Sequence, residues 1–399
     1  MAILFIEPTP SPNTMKITLD AKLPDTTRLT YTKDQAADAP EPYNRLLAIE
    51  GVRSLYHASD FIALDRTPRG DWQHILAGAR RVLGEAATPG GGKPAAEAAN
   101  SEAAGADGLP DSQPPLSAFG EVSVKLQHFR GIPLQVRVSA GDEEKRAAMP
   151  ERFTQAAIRA ASASPNLIKE RSLEEWDTRY GELDEVLDSI VQELDASYDD
   201  KRLEELAAQA ASGKLAAGAE EVAAAARRSL SYEETERQLR SEDWKLRYAA
   251  LEQIKPSAET MPLLILALDD AQTAVRRLAT VYLGDLKDPV VLPYLYRALQ
   301  DKSASVRRTA GDTLSDIGDP AAQAAMIGAL GDANKLVRWR AARFLYEAGD
   351  EQAVPALKQA AEDPEFEVRM QARIALERIE GGHAAEGSVW QQMTRRNEA

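Results

Sequence analysis

The densest polar cluster in the chain is Glu170, Arg171, Glu174, Glu175, Trp176, Asp177, Arg179 and Tyr180. Two of its carboxylates, brought together in a desolvated cleft, could serve general acid–base work. Alternating charge of this kind is far more often a solvated loop and helix start. The stretch is therefore read as a binding patch made by Arg171, Trp176, Arg179 and Tyr180. The histidines His57, His74, His128 and His383 fall in different segments, without the helical or short-loop spacing that a metal site needs. With no cysteine, the sequence excludes disulfides, thiolate nucleophiles and cysteine-held zinc or iron–sulfur clusters. Nucleophile-elbow, paired-histidine and dinucleotide-binding motifs are missing as well. Gly90-Gly91-Gly92-Lys93 superficially looks like a phosphate-binding loop, but Ala87 stands where the first glycine is needed and Pro94 replaces the Ser or Thr. No catalytic, cofactor-binding or metal-ligating residue emerges, and the chain is expected not to be an enzyme.

What positions most of the remaining residues is a repeat. Val275-Arg276, Val306-Arg307, Val337-Arg338 and Val368-Arg369 recur at a constant step, as do Asp270, Asp301, Asp332 and Asp363, and Leu283, Leu314, Leu345 and Leu376. A fixed period of this size marks a solenoid. In each unit a first helix carries one apolar face, as Leu295, Ala298 and Leu299 do. A second helix follows the three- and four-residue steps of Val306, Ala310, Leu314 and Ile317. Asp288-Pro289 and Asp319-Pro320 stop one helix and restart the next. Leu246-Arg247, Ala250 and Ile254 form a weaker terminal copy. The recurring Arg and Asp are expected to form a ladder that ties each turn to the next. Recognition is expected from the residues that vary beside them. Arg277, Arg308, Trp339, Arg340 and Arg373 are the candidates for a concave row that binds a protein partner.

Ahead of the repeats, residues 1–85 read as a small α+β domain. Met15–Leu19, Val52–His57 and Phe61–Leu64 alternate like strands, Pro42–Ile49 suits a helix, and Asp71 caps a second helix with Trp72, Ile75, Leu76, Ala79 and Leu83 on one face. Residues 86–118 have the composition of a flexible linker. Residues 119–215 read as a second α+β domain. It has a β-hairpin broken at Arg130-Gly131, a helix opened by Pro150, a strand over Asn166–Arg171 and an acidic helix over Glu182–Leu194. The repeats occupy 230–382 and a tail follows at 383–399. The fold class is thus two small α+β domains followed by an all-α HEAT-like solenoid. No apolar run approaches the length of a bilayer span, and the formal charge of −15 leaves no segment basic. Neither membrane nor nucleic acid is an expected partner, and a cytoplasmic location is the default.

Three stretches resemble known families. The recurring Asp and Val-Arg resemble HEAT-like repeats of the type also found in phycocyanobilin lyases, which implies an α-solenoid and, by repeat type alone, a bilin-lyase-like alternative. Pro10-Ser11-Pro12-Asn13-Thr14-Met15-Lys16, Ile49-Glu50-Gly51-Val52, Asp60-Phe61-Ile62 and Asp71-Trp72 together resemble the N-terminal domain of Nfu-type iron–sulfur scaffold proteins. In that family a Cys-x-x-Cys pair in a separate domain holds the cluster, and nothing in this sequence corresponds to it. The resemblance implies the fold, with an accessory role beside an iron–sulfur carrier as an alternative function. The order of the three parts resembles the conserved virulence factor C family of Gram-positive bacteria, which is associated with regulating virulence-factor output. The leading expectation is a non-catalytic, cofactor-free scaffold for protein interaction.

Overall fold

The computed structural model describes residues 1–84, 120–212 and 230–382, apart from 10, 12, 25–26, 68–69, 142 and 162–168. The expected linker, the tail and His383 lie outside the described residues. The chain divides into two compact units, Met1–Glu121 with Met326–Ala399, and Val122–Ala325.

In the first unit the N-terminal strands are β1 (Ile3–Pro8), β2 (Thr14–Leu19), β3 (Arg28–Thr32), β4 (Val52–Ala58) and β5 (Phe61–Arg66). They form an antiparallel sheet in the order β1-β2-β5-β4-β3. Met15, Ile17, Leu19, Ile62 and Leu64 point to one face because side chains alternate along a strand, and that face is buried. Helices α1 (Tyr43–Ala48) and α2 (Trp72–Leu83) contribute Leu46, Leu47, Trp72 and Ile75 to the same core. The Asp71 carboxylate accepts from the Gln73 amide and starts α2, as expected. Strands β1 and β3 were not expected. They are the two sheet edges, and an edge strand needs less apolar patterning than a central one.

In the second unit, β6 (Glu121–Phe129), β7 (Ile132–Ala140), β8 (Glu143–Ala148) and β9 (Arg171–Tyr180) lie in the order β8-β7-β6-β9. Arg130 and Gly131 both have positive φ, which suits the tight turn of the β6–β7 hairpin. Helices α3 (Glu151–Ala160), α4 (Leu183–Ser197) and α5 (Asp200–Ala211) bring Phe153, Ile190, Leu194 and Leu206 onto Val124, Leu126, Val136 and Val138. Of the expected strand at Asn166–Arg171, residues 166–168 lie outside the described residues, and 169–170 form a turn. The strand begins at Arg171 and runs through the charged cluster that had been read as loop and helix start.

Ten helices follow among the described residues: α6 (Tyr232–Leu239), α7 (Trp244–Glu252), α8 (Met261–Ala267), α9 (Thr273–Asp285), α10 (Leu292–Ala298), α11 (Ala304–Ile317), α12 (Gln323–Ala329), α13 (Lys335–Ala348), α14 (Val354–Ala360) and α15 (Phe366–Glu380). They are the short-then-long helical pairs of the repeat. The ladder is present within each unit. Arg276 grips both oxygens of Asp301 at 2.7 and 2.9 Å, and Arg247 holds Asp270 at 2.5 and 2.8 Å. In the other unit Arg338 holds Asp363 at 2.7 and 3.0 Å. The remaining nitrogen of each arginine turns back to two carbonyls of its own inter-helix turn, as Arg276 does to Asp270 and Ala271. Burial disfavours the charge on Asp301, but the Arg276 fork and the Ser303 amide outweigh it and leave the carboxyl below its ordinary range. No helix among the described residues is long and apolar enough to cross a membrane.

Removing one member of a buried pair strands the other charge. Arg276→Ala is therefore expected to lower stability by about 3 kcal/mol. Arg297→Ala, which faces the exposed Asp269 at 3.3 Å, should cost less than about 1 kcal/mol. Urea unfolding of the two variants checks the contrast.

Candidate functional site

Three of the repeat residues that follow a Val-Arg dipeptide, Arg277, Arg308 and Met370, are where the small domains meet the helices. In the second unit those residues are Arg277 on α9 and Arg308 on α11. Arg277 donates to both oxygens of Glu193 at 3.0 and 3.1 Å, and Arg179 from the end of β9 reaches the same carboxylate at 3.2 Å. Glu193 is only 2% exposed and receives a fourth bond, from the Ser189 hydroxyl. Arg308 donates to the Tyr180 carbonyl, and its guanidinium lies over the Tyr180 ring at 5.6 Å. Burial pulls the Arg308 pKa below its ordinary value, helped by Arg277 and Arg179. The Tyr248 hydroxyl is pushed well above its ordinary range by burial and then by the Glu193 charge. A second contact of α4 adds Asp195, which binds Arg152 at 2.6 Å and Lys245 at 2.5 Å. The middle domain is thus fastened to the first repeats by buried charge.

In the first unit the equivalent residues are Trp339 on α13 and Met370 on α15. Met370 is buried in the core of the N-terminal domain, with Phe366 and Ile374 packed beside it. Arg66, 4% exposed, is the polar centre of this seat. It donates to Asn13 Oδ1 at 3.0 Å, to the Gly70 carbonyl at 3.1 Å and to Glu367 at 2.7 Å, and it stacks over Trp72. Gly70 reaches Arg66 because it lies against Gly51, where a Cβ on either glycine would clash with the other's backbone. Asn13 in turn donates to Glu121 at 2.6 Å. Arg343 donates to the Thr9 carbonyl at 2.5 Å while paired with Glu347 at 2.7 Å, so both flanks of the Ser-Pro-Asn-Thr-Met segment are held.

These positions revise the expected binding residues. Arg277 and Arg308 face this chain's own middle domain, so neither presents an open row to a partner. Trp339 is buried, and Arg340 lies over its ring at 4.9 Å. Arg373 donates to the Ala361 carbonyl and pairs with Glu362 in its own repeat. The weak patch divides. Arg179 and Tyr180 turn inward to Glu193 and Arg308, whereas Arg171 and Trp176 stay exposed on β9. Glu193, Asn13, Arg66 and Arg343 were missed as contact residues. The available signal was the column itself, which reads Arg, Arg, Trp, Met against an invariant frame.

Among the described residues, His57, His74 and His128 are brought to no common site. His57, 1% exposed, shares a 2.7 Å hydrogen bond with the Tyr43 hydroxyl through Nδ1. Burial lowers its pKa, and burial lowers that of His128 against the opposing pull of Glu174. Among the described residues no group of His, Asp or Glu could hold a metal ion.

Comparison with known proteins follows the same three-part order. The scaffold protein Nfu/NifU N-terminal family matches residues 3–90, the virulence factor family 127–207, and HEAT repeats 232–311 and 295–377. YpgR of Bacillus subtilis is 51% identical over 394 residues, covering 99% of this chain and 98% of that protein. Conserved virulence factor C of Staphylococcus aureus is 44% identical over 398 residues, covering 99% of this chain and all of that protein. The chain belongs to the conserved virulence factor C family. A solved structure, protein SAV1430 of Staphylococcus aureus, is 39% identical and covers 21% of this chain and 98% of its own, with a TM-score of 0.20.

Two outcomes are expected of this family member. Glu193→Gln removes the charge shared by Arg179 and Arg277, and should cost about 3 kcal/mol by urea unfolding, with faster amide exchange in α9. His57 has a folded pKa below the ordinary imidazole value of about 6.5, so the unfolded chain protonates first. The stability it contributes above that pH is lost as pH falls through and below it. His57→Phe should therefore flatten the drop in stability between about pH 7 and about pH 5, and an unchanged slope would refute the assignment.

Proposed function

We propose that this chain is a non-catalytic scaffold for protein interaction, in which the repeats hold two α+β domains and strand β9 takes the partner. The observation that carries this is the state of β9. It stands at the end of its sheet with β6 as its one hydrogen-bonded neighbour, and among the described residues no strand pairs with its other edge. Leu173 is 44% and Trp176 40% exposed on it. An unpaired strand edge offers a row of backbone donors and acceptors, and an extended partner segment can add to it while apolar side chains supply specificity. The cation–π contact of Arg179 with Trp176, at 5.6 Å, holds the indole in place. The occupant that fits is an extended protein segment.

The carboxylates of the same strand support binding over catalysis. Glu174, Glu175 and Asp177 are solvent-exposed and already matched by Ser172, Lys125 and Arg179. The Lys125 hydrogen bond lowers the Glu175 pKa, the opposite of what a general acid at neutral pH needs. A second reading, an accessory to an iron–sulfur carrier, has the Nfu/NifU N-terminal match in its favour. It ranks below the first because Asn13 and the Thr9 carbonyl of the matching segment are engaged by Arg66, Glu121 and Arg343, and the chain has no thiolate for a cluster.

Leu173→Lys combined with Trp176→Lys places charge on the free edge without touching the core. In proximity labelling in the native cell, the doubly substituted full chain should lose its specific neighbours by about ten-fold or more, as removal of an aromatic anchor does. Its unfolding midpoint should not change. Retention of the same neighbours at the same level would defeat the reading.

A further inference from the structure

The ladder has two ends, and they differ. At the start, Ser241 occupies the aspartate position of the first repeat: its hydroxyl accepts the Asp243 amide at 3.2 Å, the bond that Asp270, Asp301 and Asp363 accept from Gln272, Ser303 and Glu365. At the close, Arg369 repeats half of the arginine pattern. Its Nη1 donates to the Asp363 and Pro364 carbonyls at 2.6 and 2.7 Å, as every ladder arginine does to its own turn. Its guanidinium lies over the Phe366 ring at 5.9 Å. The other edge of the guanidinium, Nε and Nη2, is the one that grips an aspartate in Arg247, Arg276 and Arg338. On Arg369 that edge carries no carboxylate among the described residues.

A second column reports the same opening. Leu283, Leu314 and Leu345 are each 0% exposed, whereas their counterpart Leu376 is only half-buried. The last helix therefore keeps one apolar residue and one guanidinium fork in the register that another repeat would fill. Two occupants are disfavoured by sequence. In this chain the position one period beyond Asp363 is Thr394, followed by Arg395 and Arg396, so the fork would meet like charge. A second copy stacked end to end would offer Ser241 in place of the aspartate.

We propose that Arg369 and Leu376 form a docking end for a different protein, one whose helical hairpin presents a turn aspartate to the open guanidinium fork. The fit is defined by the ladder: a carboxylate that accepts two parallel N–H bonds while capping the helix that follows it, with an apolar residue placed over Leu376. This inference rests on the ladder geometry alone and is independent of the role given to β9.

The test uses the full chain and a labelled two-hairpin helical polypeptide designed in the same period, carrying either Asp or Asn at the turn position. Fluorescence anisotropy should show the Asp form binding about ten-fold or more tightly than the Asn form, the size expected of a charge-assisted fork. Arg369→Ala and Arg369→Lys should both abolish the preference, the lysine variant because it keeps the charge and loses the fork. The Leu173→Lys, Trp176→Lys chain should bind the probe as the parent does, so that failure of one proposal is separable from failure of the other. Equal affinity for the Asp and Asn forms, or a preference that survives Arg369→Lys, overturns the proposal. So does binding that appears only after residues 383–399 are removed, which would make the tail the occupant, or an Arg369-dependent dimer in sedimentation, which would make it a second copy.

Discussion

The structure depends on one interaction, the buried fork between an arginine on the second helix of a repeat and an aspartate in a neighbouring turn. Arg247, Arg276 and Arg338 each use one nitrogen to close their own turn and two to hold an aspartate, and Asp270, Asp301 and Asp363 each also receive an amide of their own turn. In the Arg276 fork four of the guanidinium N–H donors and both carboxylate oxygens of Asp301 have partners, and such matching is what makes a buried ion pair tolerable. Apolar columns such as Leu283, Leu314 and Leu345 supply most of the burial. The fork adds register, because a slip by one helical turn would leave a guanidinium and a carboxylate unpaired at every level. A rigid, indexed frame is what allows the neighbouring column to be used for holding other domains.

That column is put to two chemically different uses. In one unit Arg277 and Arg308 meet Glu193 and the Tyr180 carbonyl, so the seat of the middle domain is polar. In the other, Met370 enters an apolar core, and the polar part is Arg66 with its three partners and Arg343 on the Thr9 carbonyl. An apolar seat gains from the area it covers, whereas a buried ionic seat gains little net energy and is costly to break piecemeal. The N-terminal domain is held by surface area; the middle domain is held by matching. The two seats are thus expected to respond differently to salt and pH, and separate regulation of the two domains is physically available.

Much of this was legible in the sequence, and the reason is periodicity. A pattern repeated four times averages out local ambiguity, so helices, ladder and terminal copy could be read from Val-Arg, Asp and Leu columns. The two α+β domains were legible where strands are half-buried, as in Met15–Leu19, since burial on one face imprints alternation. Strand β9 was not, because it is exposed on nearly all positions and nothing in Arg-Ser-Leu-Glu-Glu-Trp-Asp-Thr-Arg-Tyr alternates. Glu193 looked like one more acid on an acidic helix. Its role depends on Arg277, far along the chain, and no local pattern encodes such a pair. Arg277 and Arg308 of the second-helix row meet this chain's own middle domain for a related reason: variation on a repeated frame signals that something docks there, without saying whether the occupant is another protein or the same one.

The distinction matters for how a repeat array acquires a function. An array in which Arg277, Arg308 and Met370 of the variable column meet its own domains has already used part of the surface that solenoids ordinarily offer to others. What remains for recognition is whatever the docked domains and the array's end leave uncovered. The first is an edge strand, which recognises backbone and is tolerant of sequence. The second is a single unfilled fork, which recognises one carboxylate in one geometry and is demanding. The roles proposed for β9 and Arg369 pair a tolerant site with a demanding one, an arrangement that suits a scaffold bringing an extended segment to a specific folded partner.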